Sequence, residues 1–290
     1  MYLLLVNPTS GSGRGKLQGS VVQDYLVRNS IEFSNISGSS YESAASSLAT
    51  AIRKYSSIEG LIVVGGDGLV HLAIQELAGT AIPMLVIPAG TGNDFARSLK
   101  LPLADPTSIL EFARYSKPSA IDLGRVNGRY FAEILSTGFD SVVNERANRM
   151  RLVSGKSKYN LAILLELPLF KPKRYQFDVD GAAFEYEAML IAVANGASYG
   201  GGMKVCPNAE LDDGYFDLMI LEPVSKLEFL RVFPRVFSGT HISHPKVRIL
   251  RGRHISVRAD AVAYADGERV SELPITAEIV PGALLTWRNL

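Results

Sequence analysis

The sequence predicts an N-terminal α/β domain, doubly wound around a mainly parallel sheet, followed by a mainly antiparallel β-sandwich domain. Three observations carry this. Apolar strand-like runs alternate with helical periodicity up to about residue 120, and such alternation implies right-handed crossovers and a parallel sheet. Beyond that point short strands follow one another, many separated by turns such as Val126-Asn127-Gly128 and Val179-Asp180-Gly181, the mark of antiparallel hairpins. The chain has 290 residues, long for one core and comfortable for two.

Taken in order, residues 2–6 read as the first strand. Residues 17–28 read as a helix with Leu17, Val21, Val22, Tyr25 and Leu26 on one apolar face. A strand at 32–37, an alanine-rich helix at 43–55, a strand at 60–64 and a helix at 70–78 follow. A fourth strand covers 83–87, then a Gly-rich loop, a helix from Phe95 and another at 107–114. Lys117-Pro118-Ser119-Ala120 marks the boundary, giving domains 1–120 and 121–282, with a C-terminal strand in 283–290 able to return to the first. The second domain carries strands at 121–126, 129–135, 175–179, 184–193, 215–221, 247–250, 254–259 and 275–279. Helices at 158–167 and 225–237 interrupt them.

Composition narrows the function classes. The chain is 47% hydrophobic and 20% charged with net charge +1, so no basic surplus points to nucleic acid. One cysteine, Cys206, excludes an internal disulfide and suits a reducing cytosol. Cys206 has no histidine near it in sequence and reads as a buried hydrophobe. The N-terminus lacks a basic leader, and no apolar run approaches the roughly 20 residues of a membrane span. The expectation is a cytoplasmic protein able to touch a membrane surface. The four histidines lack zinc-ligand spacing, and no Gly-x-Ser-x-Gly elbow is present.

Three loops follow strands and are rich in small polar residues: 7–15, 65–68 and 89–94. In a parallel sheet all three fall beyond the strands' carboxyl ends, where α/β proteins bind ligands. Leu61-Ile62-Val63-Val64 runs into Gly65-Gly66-Asp67-Gly68. That turn suits a phosphate at a helix N-terminus, with Asp67 holding a metal ion, a water or a sugar hydroxyl beside it. It suits equally a tight turn whose Asp caps the helix. Gly90-Thr91-Gly92-Asn93-Asp94 offers a hydroxyl, an amide and a carboxylate, or simply a helix cap. Residues 7–16 nearly mimic a P-loop, but Ser10 and Leu17 stand where a glycine and a Mg²⁺-binding hydroxyl belong. Asp212-Asp213-Gly214 with Asp217 reads as a hard-cation site or a charged turn. Asn195-Gly196 and Tyr199–Gly202 read as a flexible loop. The apolar segment 159–170, followed by Lys171, Lys173 and Arg174, reads as a core helix in preference to a membrane-docking one.

Taken together and in order, these motifs resemble the diacylglycerol kinase catalytic-domain family, in particular its compact bacterial-type lipid kinases. The resemblance runs from Asn7-Pro8 and Ser10-Gly11 through Gly65–Gly68 and Gly90–Ala96. It continues through Asp122-Leu123-Gly124, Gly138-Phe139-Asp140, Asn195-Gly196 and Asp213-Gly214 to Asp266-Gly267-Glu268. It implies an active site in the cleft between the two domains, ATP and Mg²⁺ as cofactors, and a lipid hydroxyl as phosphoryl acceptor. By position it implies nucleotide contacts at Asn7, Ser37, Gly65, Gly66, Asp67, Gly68 and Thr91. Asp67 and Asp94 are implied as the carboxylates organising Mg²⁺ and water, and Glu268 as general base. Asp213 is implied as ligand of a second Mg²⁺, with the backbone carbonyls of Glu210 and Tyr215. This suits phosphoryl transfer, which needs positioning and charge neutralisation more than covalent help. The chain departs from the family's pattern at Leu69, His71 and Leu72: Leu69 removes a hydroxyl and Leu72 a carboxylate. The competing readings are a dinucleotide kinase of the NAD-kinase type and a non-enzymatic nucleotide- or lipid-binding module. An exposed edge strand in the second domain would permit a homodimer.

Overall fold

The structure, a computed structural model, describes residues 1–102, 105–150 and 156–289, with the backbone alone for 156–160. The chain divides into two compact units, Met1–Leu123 with Pro281–Leu290, and Gly124–Val280.

The first unit runs β1 (Tyr2–Val6), α1 (Ser10–Arg28), β2 (Phe33–Asn35), α2 (Tyr41–Lys54), β3 (Gly60–Gly65), α3 (Asp67–Leu77), β4 (Met84–Pro88), α4 (Asp94–Ser98), α5 (Pro106–Tyr115) and β5 (Ser119–Val126). Its sheet has the order β2-β1-β3-β4, parallel throughout. The strands are apolar without alternation because both faces are covered. Leu4, Ile62, Val64, Leu85 and Ile87 pack with Val22 and Leu26 of α1 and Ile109 of α5, while Leu3, Leu5, Leu61 and Val63 point the other way and are equally buried. Helix starts follow local chemistry: Ser40 accepts from Ser43 N–H before α2, and Asp105 accepts from Thr107 N–H, with Pro106 opening α5.

The apolar face expected for α1 is rotated. Gly15, Gly19, Val22, Tyr25 and Leu26 face inward, whereas Leu17 and Val21 are 70% and 40% exposed. Two glycines on the inner side let the helix lie close on the sheet, so its apolar stripe turns away from the side that hydropathy selects. The helix also starts earlier, out of a left-handed turn through Gly11, Ser12 and Gly13.

The second unit continues with β6 (Arg129–Phe131), β7 (Ile134–Gly138), α6 (Phe139–Arg149), α7 (Lys156–Glu166), β8 (Lys173–Val179), β9 (Ala182–Ala188), β10 (Leu190–Ala194), β11 (Phe216–Leu221) and α8 (Lys226–Val232). Short 3₁₀ turns at Phe233–Phe237 and Thr240–Ser243 precede β12 (Val247–Gly252), β13 (His254–Arg258), β14 (Val262–Ala265), β15 (Glu268–Glu272) and β16 (Ile275–Thr286). One antiparallel sheet joins β16, β13, β8 and β9. The other has the order β12-β11-β10-β7-β14-β15. Their inner faces share one core, in which Phe131 stacks on Phe216 with centroids 5.7 Å apart. The outer face of the six-stranded sheet carries the helices, where the Phe139 ring meets Phe170 and Phe229 edge-on at 5.2 and 5.1 Å.

Several boundaries differ from expectation, each for a physical reason. The strand expected at 129–135 breaks at Ala132-Glu133, because the Asp266 carboxylate takes the N–H groups that a ladder would use. The run 184–193 divides at Met189 into β9 and β10, which belong to different sheets. The strand expected at 275–279 and the C-terminal strand expected in 283–290 are one strand, β16, whose last part pairs with β4 through Thr286 and Met84. Helix α6 escapes hydropathy because Ser141 and Asn144 sit on its buried face. The helix expected at 225–237 passes into a 3₁₀ turn at Phe233-Pro234, since Pro234 has no N–H to donate. Residues 161–170 are only half core: Ala162, Leu167 and Phe170 are buried, while Leu161, Leu164, Leu165 and Leu169 are exposed.

Candidate active site

In the first unit the three polar loops lie side by side because β1, β3 and β4 are neighbours with one direction. Asn7 N–H donates to Val64 O at 2.9 Å and Ala89 N–H to Gly65 O at 2.7 Å. The turns after β3 and β4 touch backbone to backbone: a Cβ on Gly90 would stand 2.5 Å from Gly66 Cα. The Arg14 guanidinium donates to the Gly90 carbonyl and ties in the loop after β1. Asn7 Oδ1 accepts from Thr9 N–H and Oγ1 at 3.1 and 2.8 Å. Ser37 Oγ accepts from Val6 N–H at 2.9 Å, which sets Ser37 beside the end of β1. Asn7, Ser37, Gly65–Gly68, Thr91 and Asp94 are thus brought to one edge of this unit. Thr91 and Gly68 are exposed there, and Asp94 is buried.

Asp67 plays a part that neither sequence reading described. It is the first residue of α3, whose N-cap is Gly66. Its carboxylate reaches across instead, accepting from Asn93 N–H at 2.8 Å and Asp94 N–H at 2.9 Å. Those N–H groups open α4, so Asp67 caps the helix of the neighbouring motif. Asn93, in the left-handed region at φ 56°, closes the turn by accepting from Gly90 N–H at 2.8 Å. Gly92 lets both carboxylates approach the backbone closely. A Cβ there would lie 2.5 Å from Asp67 Oδ2 and 3.3 Å from Asp94 Oδ2. Two carboxylate oxygens drawn together beside one glycine fit a hard, oxygen-liganded cation such as Mg²⁺. Leu69 turns back over Gly65 rather than forward, and Leu72 is 2% exposed, in the core.

In the second unit Asp266 and Gly267 form the β14–β15 turn, with φ of 48° and 85°. Asp266 accepts from the backbone N–H groups of Ala132, Glu133 and Ile134 at 2.7, 3.0 and 3.2 Å, and donates its own to Ile134 O. Glu268 follows, exposed, at the start of β15. The same corner holds Asn195, fully buried, whose side chain donates to Ala132 O at 2.7 Å. Asn195-Gly196 is therefore a fixed corner rather than the flexible loop expected. Tyr199 and Met203 close the next turn as a β-bridge. Glu133, 4% exposed, lies over Gly196. Sequence reasoning passed over it, because a lone Glu in an apolar run carries no motif.

The residues of the implied second Mg²⁺ site, Glu210, Asp213 and Tyr215, precede β11. Four strand spacings of about 4.8 Å separate β11 from β15, roughly 19 Å, so Glu268 and Asp213 are not brought together. A cavity of about 500 Å³ is lined by Cys206, Glu210, Asp213, Asp217 and Arg251, among others. Asp213 accepts from Tyr215 N–H at 2.9 Å and pairs with the Arg251 guanidinium. Arg251 also lies 3.5 Å from Asp217 and over the Tyr215 ring. Burial, with Asp213 and Glu210 beside it, raises the Asp217 pKa despite Arg251. Among the described residues no three acid, thiol or imidazole groups converge as a metal site. A guanidinium already neutralises Asp213, so this arrangement fits an ion pair and we derive no step through a metal here. Cys206 is buried against the Asp217 carbonyl, and burial drives its thiol pKa up.

Known proteins match both halves. Residues 1–126 match the diacylglycerol kinase catalytic domain, and residues 133–287 match the YegS C-terminal NAD kinase beta sandwich-like domain. A protein named diacylglycerol kinase from Mycobacterium tuberculosis is 37% identical over 98% of this chain and 94% of its own length. The chain belongs to the diacylglycerol kinase family. A second relative of that name, from Bacillus subtilis, is 30% identical over 93% of this chain and 90% of its own. A diacylglycerol kinase structure from Bacillus anthracis shares the fold, with a TM-score of 0.76 at 20% identity, covering 99% of this chain and 96% of its own. Membership in this kinase family makes the chain a phosphotransferase by lineage. Its α/β unit and antiparallel β unit are the fold of that structure.

Proposed function

We propose that this kinase transfers the terminal phosphate of ATP to the hydroxyl of diacylglycerol or a similar lipid, giving a phosphorylated lipid such as phosphatidic acid. The observation carrying this is the pair of carboxylates, Asp67 and Asp94, brought together beside Gly92 at the carboxyl edge of a parallel sheet. The backbone of Gly65–Gly68 and the Thr91 hydroxyl approach the phosphates, with Asn7 and Ser37 beside them. Asp67, fixed by two N–H donors, enters the reaction already oriented, and pre-set groups of this kind lower the barrier most. Mg²⁺, when bound by Asp67 and Asp94, supplies neutralisation of phosphate charge. Glu268 takes the proton from the acceptor hydroxyl as its oxygen bonds to the γ-phosphorus. The bond from that phosphorus to the bridging oxygen breaks, and ADP leaves with the electron pair. The acceptor and the contact with a lipid surface rest on the names of the relatives.

The test is transfer from radiolabelled ATP with Mg²⁺ to a panel of diacylglycerol, phosphatidylglycerol, sphingoid bases and NAD. Diacylglycerol or a related lipid is the expected acceptor. Transfer to NAD alone would establish the dinucleotide kinase reading instead, which the description of the C-terminal domain favours. ATP binding without transfer to any acceptor would establish the binding module. Glu268→Gln should lower kcat about 10²–10⁴-fold at an unchanged melting temperature. Full activity in that variant would remove Glu268 as the base.

A further inference from the structure

We infer that the Arg251 guanidinium takes the place of the second Mg²⁺ in this chain: it is the cation that ties the segment before β11 to β12, and the protein binds no divalent ion at Asp213. The resemblance implies an ion held by the Asp213 carboxylate and the carbonyls of Glu210 and Tyr215. Both oxygens of that carboxylate are already engaged. Oδ1 accepts from Tyr215 N–H at 2.9 Å, and Oδ2 accepts from Arg251 Nη2. The guanidinium is itself held from several sides. Arg251 stands directly opposite Asp217 in the β11–β12 ladder, with its Nε 3.5 Å from that carboxylate, a cross-strand pair of opposite charges. It also lies over the Tyr215 ring at 4.8 Å. Arg253 lies over the same ring at 4.6 Å and donates to the Tyr215 hydroxyl at 3.2 Å. Two arginines on either side of Gly252, the last residue of β12, thus grip one tyrosine through its π face.

Charge decides between the two cations. Mg²⁺ takes about six oxygen ligands at roughly 2.1 Å. On Asp213 it would stand beside a group of its own sign and be repelled. A lysine could yield by losing its proton, but a guanidinium stays charged. The ion would therefore have to drive Arg251 off Asp213, Asp217 and the Tyr215 ring together. An arginine rooted in the ladder also needs no capture from solution, so its tie holds at any Mg²⁺ concentration. The cavity of about 500 Å³ shows what Arg251 keeps out. Glu210, Asp213 and Asp217 line it beside the arginine, and the point that Asp213 and Asp217 share is the one its guanidinium fills. With Arg251 cut back, those carboxylates would offer hard oxygen ligands to a divalent ion. On the kinase reading proposed above, the Mg²⁺ requirement of turnover then belongs to the nucleotide site alone.

The test counts Mn²⁺, a paramagnetic stand-in for Mg²⁺, bound by the full chain without nucleotide, using electron paramagnetic resonance. Asp213→Asn keeps an acceptor for Tyr215 N–H and removes the charge that would hold an ion. Wild type and Asp213→Asn are expected to bind the same number of ions. Arg251→Ala should bind one more than wild type, and Arg251→Ala with Asp213→Asn should return to the wild-type number. Melting temperature gives a second readout. Arg251→Ala should melt a few degrees lower than wild type in chelator and regain part of that loss in Mg²⁺, as a bound ion stabilises the folded state. Mg²⁺ should shift wild type and Asp213→Asn equally. A wild type that binds one ion more than Asp213→Asn would overturn the inference. So would a folded Arg251→Ala protein that gains no ion, because something other than the guanidinium would then exclude it. Should Arg251→Ala not fold, the comparison of wild type with Asp213→Asn still decides. Failure of the kinase reading is distinguishable, since ion counts and melting temperatures need no acceptor and would stand while nothing is phosphorylated.

Discussion

Gly92→Ala tests the carboxylate pair directly. Gly92 does not take a positive φ, so alanine carries no backbone penalty there. Its Cβ would stand 2.5 Å from Asp67 Oδ2, and ordinary contact requires the carboxylate to retreat by about 0.9 Å. That retreat breaks the 2.8 Å bond from Asn93 N–H. Leaving a partly buried donor short of its partner costs about 1–3 kcal/mol, or a melting temperature lower by several degrees. The fold should survive, since β3, β4 and their helices keep their cores. Catalysis should suffer more, because a displacement of about 1 Å in a positioning group can cost roughly 10²-fold. The expected result is a folded variant with ATP affinity weakened in the presence of Mg²⁺ and turnover down about 10²-fold. Calorimetric ATP titration and a lipid-kinase assay read both. Gly68→Ala is the companion, because a Cβ there meets nothing within 4 Å. Its melting temperature should hold or rise, since Gly68 lies in α3, and any loss of ATP affinity would report a nucleotide at van der Waals distance. A folded Gly92→Ala protein with wild-type affinity and turnover would refute the assignment of Asp67 and Asp94.

Other expectations follow from single contacts. Asp266→Ala removes the acceptor for three backbone N–H groups and should cost about 3 kcal/mol in urea unfolding; a loss below about 1 kcal/mol would mean that water replaces the carboxylate. Burial holds the pKa of His241 below its usual 6.5 while its Nε2–H donates to Val205 O. Below about pH 6.5 the unfolded chain takes a proton that the folded chain refuses, so stability declines toward acid. In His241→Gln that component should vanish, and parallel stability–pH curves for the two proteins would exclude it. Leu69→Thr should lose about 1 kcal/mol of packing against Gly65 and leave ATP affinity within about twofold, because the native side chain turns away from the Gly66–Gly68 turn. A tenfold gain in affinity would show that the missing hydroxyl matters.

How much of this could be read beforehand depends on how local the cause is. The parallel strands are visible because Leu61–Val64 and Met84–Ile87 are covered on both faces, and that alone makes them apolar without alternation. The site's edge is visible for the same reason: polar, Gly-rich loops after parallel strands must share an edge. The clamp is not visible. Asp67 looks like a residue acting on its own helix, yet its carboxylate serves Asn93 and Asp94, 26 and 27 residues away. Asp266 likewise reads as half of an Asp-Gly turn, and only the fold shows it ending a strand at Ala132–Ile134, more than 130 residues earlier. Both carboxylates satisfy distant backbone donors, and no periodicity records such a partner. Helix α7 fails differently. Its apolar content is evident, but hydropathy treats a leucine facing the core and one facing outward alike, so Leu167 and Leu164 score the same. In Gly-Gly-Asp-Gly the aspartate that shapes the backbone is itself proposed for chemistry, and in Asp-Gly-Glu it stands two residues before the proposed base. Substituting those aspartates will therefore mix folding with turnover, and Glu268, exposed at the start of β15, is the position where chemistry can be tested with the least disturbance to the fold.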